Sequence, residues 1–476
     1  MKRKYSLLLL TILLAPATVI NSQYLFTKQT VAGQWIGTLD AGANSLRIIF
    51  SIKLNDRDSL VASMDSPDQG ASNIPLGRVY FFNDSLLINA PYLMGNYKGS
   101  VKSDTIIKGT WTQRGAKYPL DLKLLTKPFI PGRPQDPKQP YPYISQDVTF
   151  NNPVSGFSLS GTLTLPDGKG PFTAAVLITG SGPQNRDESI AGHKPFLVLA
   201  DWLTRNGIAV LRYDDRGVGR SKGNYATSTT ADFASDAQAA ILFLKSDPQI
   251  NSKAIGLIGH SEGGLIAPIV ASAGNDVAFV VSLAGPGVSG EEIILRQAAD
   301  IGRAMGMSEA AIKDAHDINV ALYDVVKNEK DDNKAEQKVA EAYRKILADK
   351  KISEENLEVK VNAIRSSFGA KVYPWFRYFI MSDPAVYWKK VKCPVLAING
   401  DRDLQVSAEI NLPAIEKAVK SSGNNDVTVK SMPGLNHLFQ HATTGLPSEY
   451  NRIDETFSPE ALKVISDWIL GLKVSK

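Results

Sequence analysis

Six short apolar runs follow one another through the second part of the chain: AAVLIT, IAVLRYD, AIGLIGH, VAFVVSLAG, CPVLAING and VTVKSMPG. Most are nearly continuous in apolar residues, as strands buried on both faces must be, and helix-like stretches such as Ala231 to Lys245 lie between them. Buried strands alternating with helices predict an α/β fold with a doubly wound, mostly parallel sheet. One interval breaks the rhythm. Between Gly290 and about Trp388 the residues are helix-like with no strand run, far too long for a crossover loop. This stretch, about 291–388, is expected to be a helical cap inserted above the sheet.

Upstream, from Gln23 to Lys127, strand-like runs such as SLRIIFSIKL and IIKGTWTQ alternate with polar turns such as NDRDS and SDT. Near-regular turn spacing with β-branched and aromatic runs predicts a small all-β domain, a sandwich or barrel, over 23–127. It carries no catalytic constellation and reads as a packing partner for the second domain or as a binding module. Residues 128–143, PFIPGRPQDPKQPYPY, hold six prolines and are expected to form a semi-rigid linker. The second domain then spans 144–476, opening on a hairpin.

The N-terminus pairs a basic segment, Lys2, Arg3 and Lys4, with an apolar run from Leu7 to Leu14 and small residues beyond it. That is the pattern of a signal peptide over 1–22, cut after Ala17 or Ser22, so the protein is expected to be exported to the periplasm or secreted, with no stable membrane span afterwards. Taking those three cations from the formal net charge of +5 leaves 5 − 3 = +2. Nucleic acid is therefore not an expected partner. Cys393 is the single cysteine, so no internal disulfide can form and stability rests on the core.

Within the third apolar run the sequence KAIGLIGHSEGGLIAPIV carries one serine, Ser261, between Gly259 and Gly263. A strand-to-helix corner this tight drives its central residue to positive φ and leaves no room for a Cβ on either glycine. Gly259-His260-Ser261-Glu262-Gly263 thus fits a G-x-S-x-G elbow that holds a nucleophilic hydroxyl at the sheet edge. Such a serine needs a base, an acid to orient the base, and donors for an oxyanion. In an open α/β sheet each should follow a strand, in the order Ser, acid, His. His437 follows the last strand through a Pro-Gly turn and is the candidate base. His441 is expected on a helix starting there, and His260 is expected to pack or hydrogen-bond beneath the elbow. Asp401 and Asp403, in GDRDLQV, both stand where the acid should be. The backbone N–H groups of Glu262 and of Ser181, in the Gly-Ser-Gly loop after VLIT, are the candidate oxyanion donors, with Gly182 next in line.

The segments LITGSGPQNRDE, YDDRGVGRS, GHSEGG, NGDRDLQV and PGLNH together resemble the α/β-hydrolase superfamily, and in particular secreted bacterial two-domain carboxylesterases with an N-terminal β domain and a helical cap. The resemblance covers roughly residues 145–476. It implies a serine esterase acting on a small-molecule ester through a Ser-His-Asp triad. With no His/Cys/Asp cluster at metal spacing and no G-x-x-x-x-G-K-[ST] loop in the sequence, neither metal nor cofactor is expected. Mapping the G-x-x-D-x-x-V pattern onto Gly400, Asp403 and Val406 prefers Asp403 to Asp401, and Asp215 and Arg216 fall in a structural turn. A peptidase or thioesterase would use the same triad, and a non-catalytic ligand-binding protein is the alternative of another class. YPWFRYF, ending the cap, offers Trp375 and Phe376 as pocket residues or as packing between cap and core.

Overall fold

The computed structural model describes residues 26–473, apart from 42–43, 68–70, 128, 130–131, 349–353 and 368–372. The expected signal peptide lies outside the described residues. The chain forms two compact units, Met1–Ile130 and Pro131–Lys476.

In the first unit ten strands between Gly33 and Leu124 make one antiparallel sheet. Alternate residues of its strands turn to one side, where Trp35, Phe50, Ile52, Leu86, Ile88, Tyr97 and Ile107 are buried together. The expected all-β domain is present, but as a single sheet. Among the described residues its end strands, Ala71–Pro75 and Val79–Phe82, do not pair with each other, so no barrel closes.

The second unit is built on eight strands: β1 (Ile144–Asn152), β2 (Phe157–Leu165), β3 (Phe172–Ile178), β4 (Ala209–Tyr213), β5 (Ile250–His260), β6 (Val280–Leu283), β7 (Val395–Gly400) and β8 (Val427–Met432). Their spatial order is β1-β2-β4-β3-β5-β6-β7-β8. The hairpin β1–β2 joins antiparallel to β4, and every later pairing is parallel. Because side chains alternate across a strand, Ala174, Val176 and Ile178 of β3 enter one core and Ala175 and Leu177 the other. Helices α2 (Thr230–Ser246) and α3 (Gly263–Ala273) cover the first face, and α1 (Pro195–Arg205) covers the second. Burial on both faces is what makes the central strands β4, β6 and β7 mostly apolar, whereas the edge strand β8, with Thr428, Lys430 and Ser431, is largely exposed.

Between β6 and β7 the expected cap is present as α4 (Gly290–Ala304), α5 (Glu309–Asn328), α6 (Asp332–Ala348), α7 (Glu354–Ser367) and α8 (Tyr373–Met381). Ser289 and Ser308 cap α4 and α5 by accepting the N–H groups of Glu292 and Ala311. The cap has its own core of Leu322, Tyr323, Val326, Val339, Phe376, Phe379 and Ile380, to which α3 contributes Leu265. The segment expected as a semi-rigid linker is partly tied down. Arg133 donates to the carbonyls of Gly192, Asn451 and Ile453, and Gln135 to that of Phe457. No described helix is long and apolar enough to cross a membrane.

Candidate active site

The corner between β5 and α3 places Ser261 at φ +52. A Cβ on Gly259 would overlap the Gly263 carbonyl, and one on Gly263 would overlap the carbonyl of Ile178. Only glycine fits at both ends of this elbow, and the Ser261 N–H, donated to the Leu283 carbonyl at 2.9 Å, fixes it against β6.

His437 lies in the loop after β8, its Nδ1 2.7 Å from Oδ2 of Asp403. Asp403 is buried, and its Oδ1 accepts the N–H groups of Gln405 and Val406 at 2.8 and 2.9 Å. With Oδ1 held by those two N–H groups, the carboxylate offers His437 its other oxygen, Oδ2, as an acceptor, so Nδ1–H donates to it and the lone pair of the imidazole lies on Nε2. Asp401 is exposed and is spent on the turn itself, accepting the Gly434 N–H at 2.7 Å. The buried Asn436 tightens the same loop by accepting the N–H groups of Leu438 and Gln440. The helix expected at His441 is absent. His441 instead forms an isolated bridge with Leu435, and its N–H, which a helix would give to the His437 carbonyl, goes to Glu455, while that carbonyl faces His260.

In the loop after β3 the Gly180 N–H donates to Glu188 at 2.8 Å and the Gly182 N–H to the Tyr225 hydroxyl at 2.8 Å. Gly182, the second choice for an oxyanion donor, is thereby engaged elsewhere. Among the described residues the N–H groups of Ser181 and Glu262 have no backbone or side-chain acceptor. The Glu262 side chain is itself fully buried beside the elbow. Its Oε1 accepts Thr230 Oγ1 at 2.7 Å and Trp375 Nε1 at 2.8 Å. Burial raises its pKa against these donors. Burial likewise pushes Asp215 up to about 8, although Thr179 and the Gln184 N–H bond its two oxygens. Arg216 pairs with the buried Asp236 through two bonds, at 2.7 and 2.9 Å.

Ser181, Ser261, Glu262 and His437 line one cavity of about 230 Å³, with Ile190, Ile293, Ile294, Gln297, Gln405, Trp375 and Phe379 around them. A larger open groove, about 700 Å³, lies along the Asp403 loop among Arg296, Asp300, Arg303 and Lys430, but it holds no serine-histidine pair. Of the two aromatics expected near a pocket, Trp375 lines it and Phe376 does not. Phe376 turns into the cap, edge-on to Tyr323 with ring centroids 5.2 Å apart. The residue sharing the Trp375 face is Phe379, one helical turn on, stacked against it at 5.5 Å.

His193 and His316 are placed apart, whereas His260 lines the same cavity as Ser261 and His437. His193 is buried between Thr456 and the Tyr450 carbonyl, where burial lowers its pKa to about 4, and His316 is exposed on α5. His260 and Glu188 form a buried pair beneath the elbow, 2.9 Å apart. Sequence reasoning left Glu188 without a role. The signal was its position in the loop that also supplies the glycines beside the elbow.

A G-x-S-x-G elbow on the central parallel strand β5, with the Asp403 and His437 loops following β7 and β8 at the same end of the sheet, defines an α/β-hydrolase. The chain belongs to the Hydrolase_4 family, serine aminopeptidase S33, whose model matches residues 194–442, more than half its length. Among curated relatives it is similar to Esterase EstD of Thermotoga maritima, 26% identical over 302 residues, which are 63% of this chain and 61% of that one. It is also similar to polyketide transferase grgF of a Penicillium species, 30% identical over 139 residues, 29% of this chain and 44% of that one. The chain thus spans less than two thirds of the length of either. A solved structure of the Pyrococcus furiosus esterase Pf2001 aligns at 19% identity over 61% of this chain and 83% of that one, with a TM-score of 0.38.

Proposed function

We propose that this protein is a serine hydrolase that cleaves carboxylic esters of small to medium acyl groups through an acyl-enzyme intermediate. The observation that carries the reading is the meeting of Ser261, at φ +52, and His437, bonded at 2.7 Å to a buried Asp403, in one cavity with two unpartnered N–H groups. With Nδ1 committed to Asp403, Nε2 is the base that takes the Ser261 hydroxyl proton as Oγ attacks the ester carbonyl. The N–H groups of Ser181 and Glu262 receive the developing oxyanion, and His437 returns the proton to the leaving alcohol. Water then repeats the sequence on the acyl-enzyme. The name of the relative EstD favours an ester leaving group, and the cavity is smaller than the roughly 300 Å³ at which drug-sized pockets begin, which favours short acyl chains.

The family description names an aminopeptidase, so amide hydrolysis by the same residues is the second reading. Labelling with a fluorophosphonate and turnover of p-nitrophenyl esters, aminoacyl anilides and acyl thioesters separate the cases. Ser261 is expected to label and esters to turn over fastest. Faster anilide cleavage would make it a peptidase, and an inert Ser261 would leave a ligand-binding protein. Export to the periplasm or beyond is part of the proposal, and sequencing the N-terminus of the mature protein tests it.

A further inference from the structure

Glu188 and His260 take no part in the steps above, yet each touches a segment that does. Glu188 is buried at φ +50, a conformation a non-glycine residue keeps only when its surroundings over-determine it. Its Oε1 accepts the Gly180 N–H at 2.8 Å, one residue before the oxyanion donor Ser181, and lies 2.9 Å from His260 Nδ1. The other ring nitrogen of His260 is 2.9 Å from the main-chain carbonyl of His437. A carbonyl only accepts, so Nε2 carries a hydrogen. Nδ1 and Oε1 must then share a second proton, since two lone pairs would not approach to this distance. Burial opposes charge on His260, but the Glu188 carboxylate and the His437 carbonyl outweigh it and raise its pKa. The His260 and His437 rings lie 4.8 Å apart.

We propose that Glu188 and His260 are positioning residues, a buried bridge that holds the oxyanion loop and the His437 main chain in register with Ser261. His260 is bonded covalently to Ser261, so one side chain sets the nucleophile against the base, and its partner sets both against Gly180. The proposal rests on the ester-hydrolase reading. Both residues stand in the cavity wall beside Ser261, and the bridge acts through the placement of the oxyanion loop and of His437.

The test compares the native protein with Glu188→Ala, His260→Ala and Glu188→Gln, whose amide can still bridge. Thermal midpoint, second-order rate of fluorophosphonate labelling, and kcat and KM on p-nitrophenyl acetate are measured for each. Misplacement of a reacting group by about an ångström costs up to about 100-fold, so the alanine variants are expected to lose roughly 10- to 100-fold in kcat and labelling rate. KM should stay within about twofold, and Glu188→Gln should recover most of the loss. If the alanine variants do not fold, Glu188→Gln and His260→Gln carry the comparison, each expected several-fold below native in labelling rate. Folded variants that label and turn over at the native rate overturn the bridge, as does a loss that merely follows the melting temperature. A native protein that labels but hydrolyses no ester defeats the ester reading alone, and the labelling rates still judge the bridge.

Discussion

Asp403 and Asp401 stand two residues apart in one turn and meet opposite fates. Asp403 is buried with both oxygens bonded, one to His437 and one to two backbone N–H groups, whereas Asp401 is exposed and bonds only Gly434. Asp403→Asn keeps a hydrogen-bonding group but turns a donor toward His437 and favours the wrong tautomer. Turnover is expected to fall about ten-thousand-fold, while Asp401→Asn, which still offers an oxygen to Gly434, stays within roughly twofold. Steady-state kinetics on the two variants decide, and the reverse ranking would move the acid to Asp401. Asp215 gives a pH prediction. Burial first, then the nearby Glu262 and Glu188, raise it to about 8, so the folded state retains a proton that the unfolded chain releases near pH 4. A carboxyl with a raised pKa stabilises the fold most below its unfolded value and loses that contribution as pH rises to its folded value. The stability of the native protein relative to Asp215→Asn should therefore fall between about pH 4 and 8 and level off above. Urea melts across that range, flat for the difference, would refute the buried neutral carboxyl.

At the scale of the element, helix α8 explains how one aromatic run serves two purposes. Positions 375 and 379 share a face toward the cavity, and position 376 is turned about 100° away into the cap core, as the 3.6-residue period requires. Trp375→Ala is expected to change the ranking of p-nitrophenyl ester chain lengths, each methylene contact being worth about 1–3 kcal/mol of discrimination. Phe376→Ala should leave the ranking unaltered and destabilise the protein by about 3–5 kcal/mol, the usual cost of emptying a buried aromatic site. Chain-length profiles and melting curves on both variants separate the two roles, and an unchanged ranking in Trp375→Ala would remove it from the pocket. The cap also reaches the elbow directly, because the Trp375 indole donates to the buried Glu262 carboxyl.

At the scale of the molecule, the two units have separate hydrophobic cores, and every residue of the candidate site lies in the second. A chain beginning at Pro131 is accordingly expected to fold and to label with a fluorophosphonate at a rate within a few-fold of the full protein. Failure to fold would show that the second core needs the first unit.

The sequence by itself determined the sheet and its punctuation. Strands buried on both faces must be apolar throughout, an elbow this tight accepts only glycine beside Ser261, and a hundred helical residues cannot be a loop, so these features were legible without coordinates. The order Ser, Asp, His along the chain set Ser261, Asp403 and His437 each just after a parallel strand, β5, β7 and β8. What only the tertiary structure decided depends on neighbours distant in sequence: that the N-terminal sheet stays open, that Phe376 faces the cap, that the chain at His441 turns instead of coiling, and that Glu188 meets His260 across seventy-two positions. Periodicity and turn chemistry are local and can be read from a string of residues. Which buried polar atom finds which partner is set by packing, and a sequence carries it only through the fold.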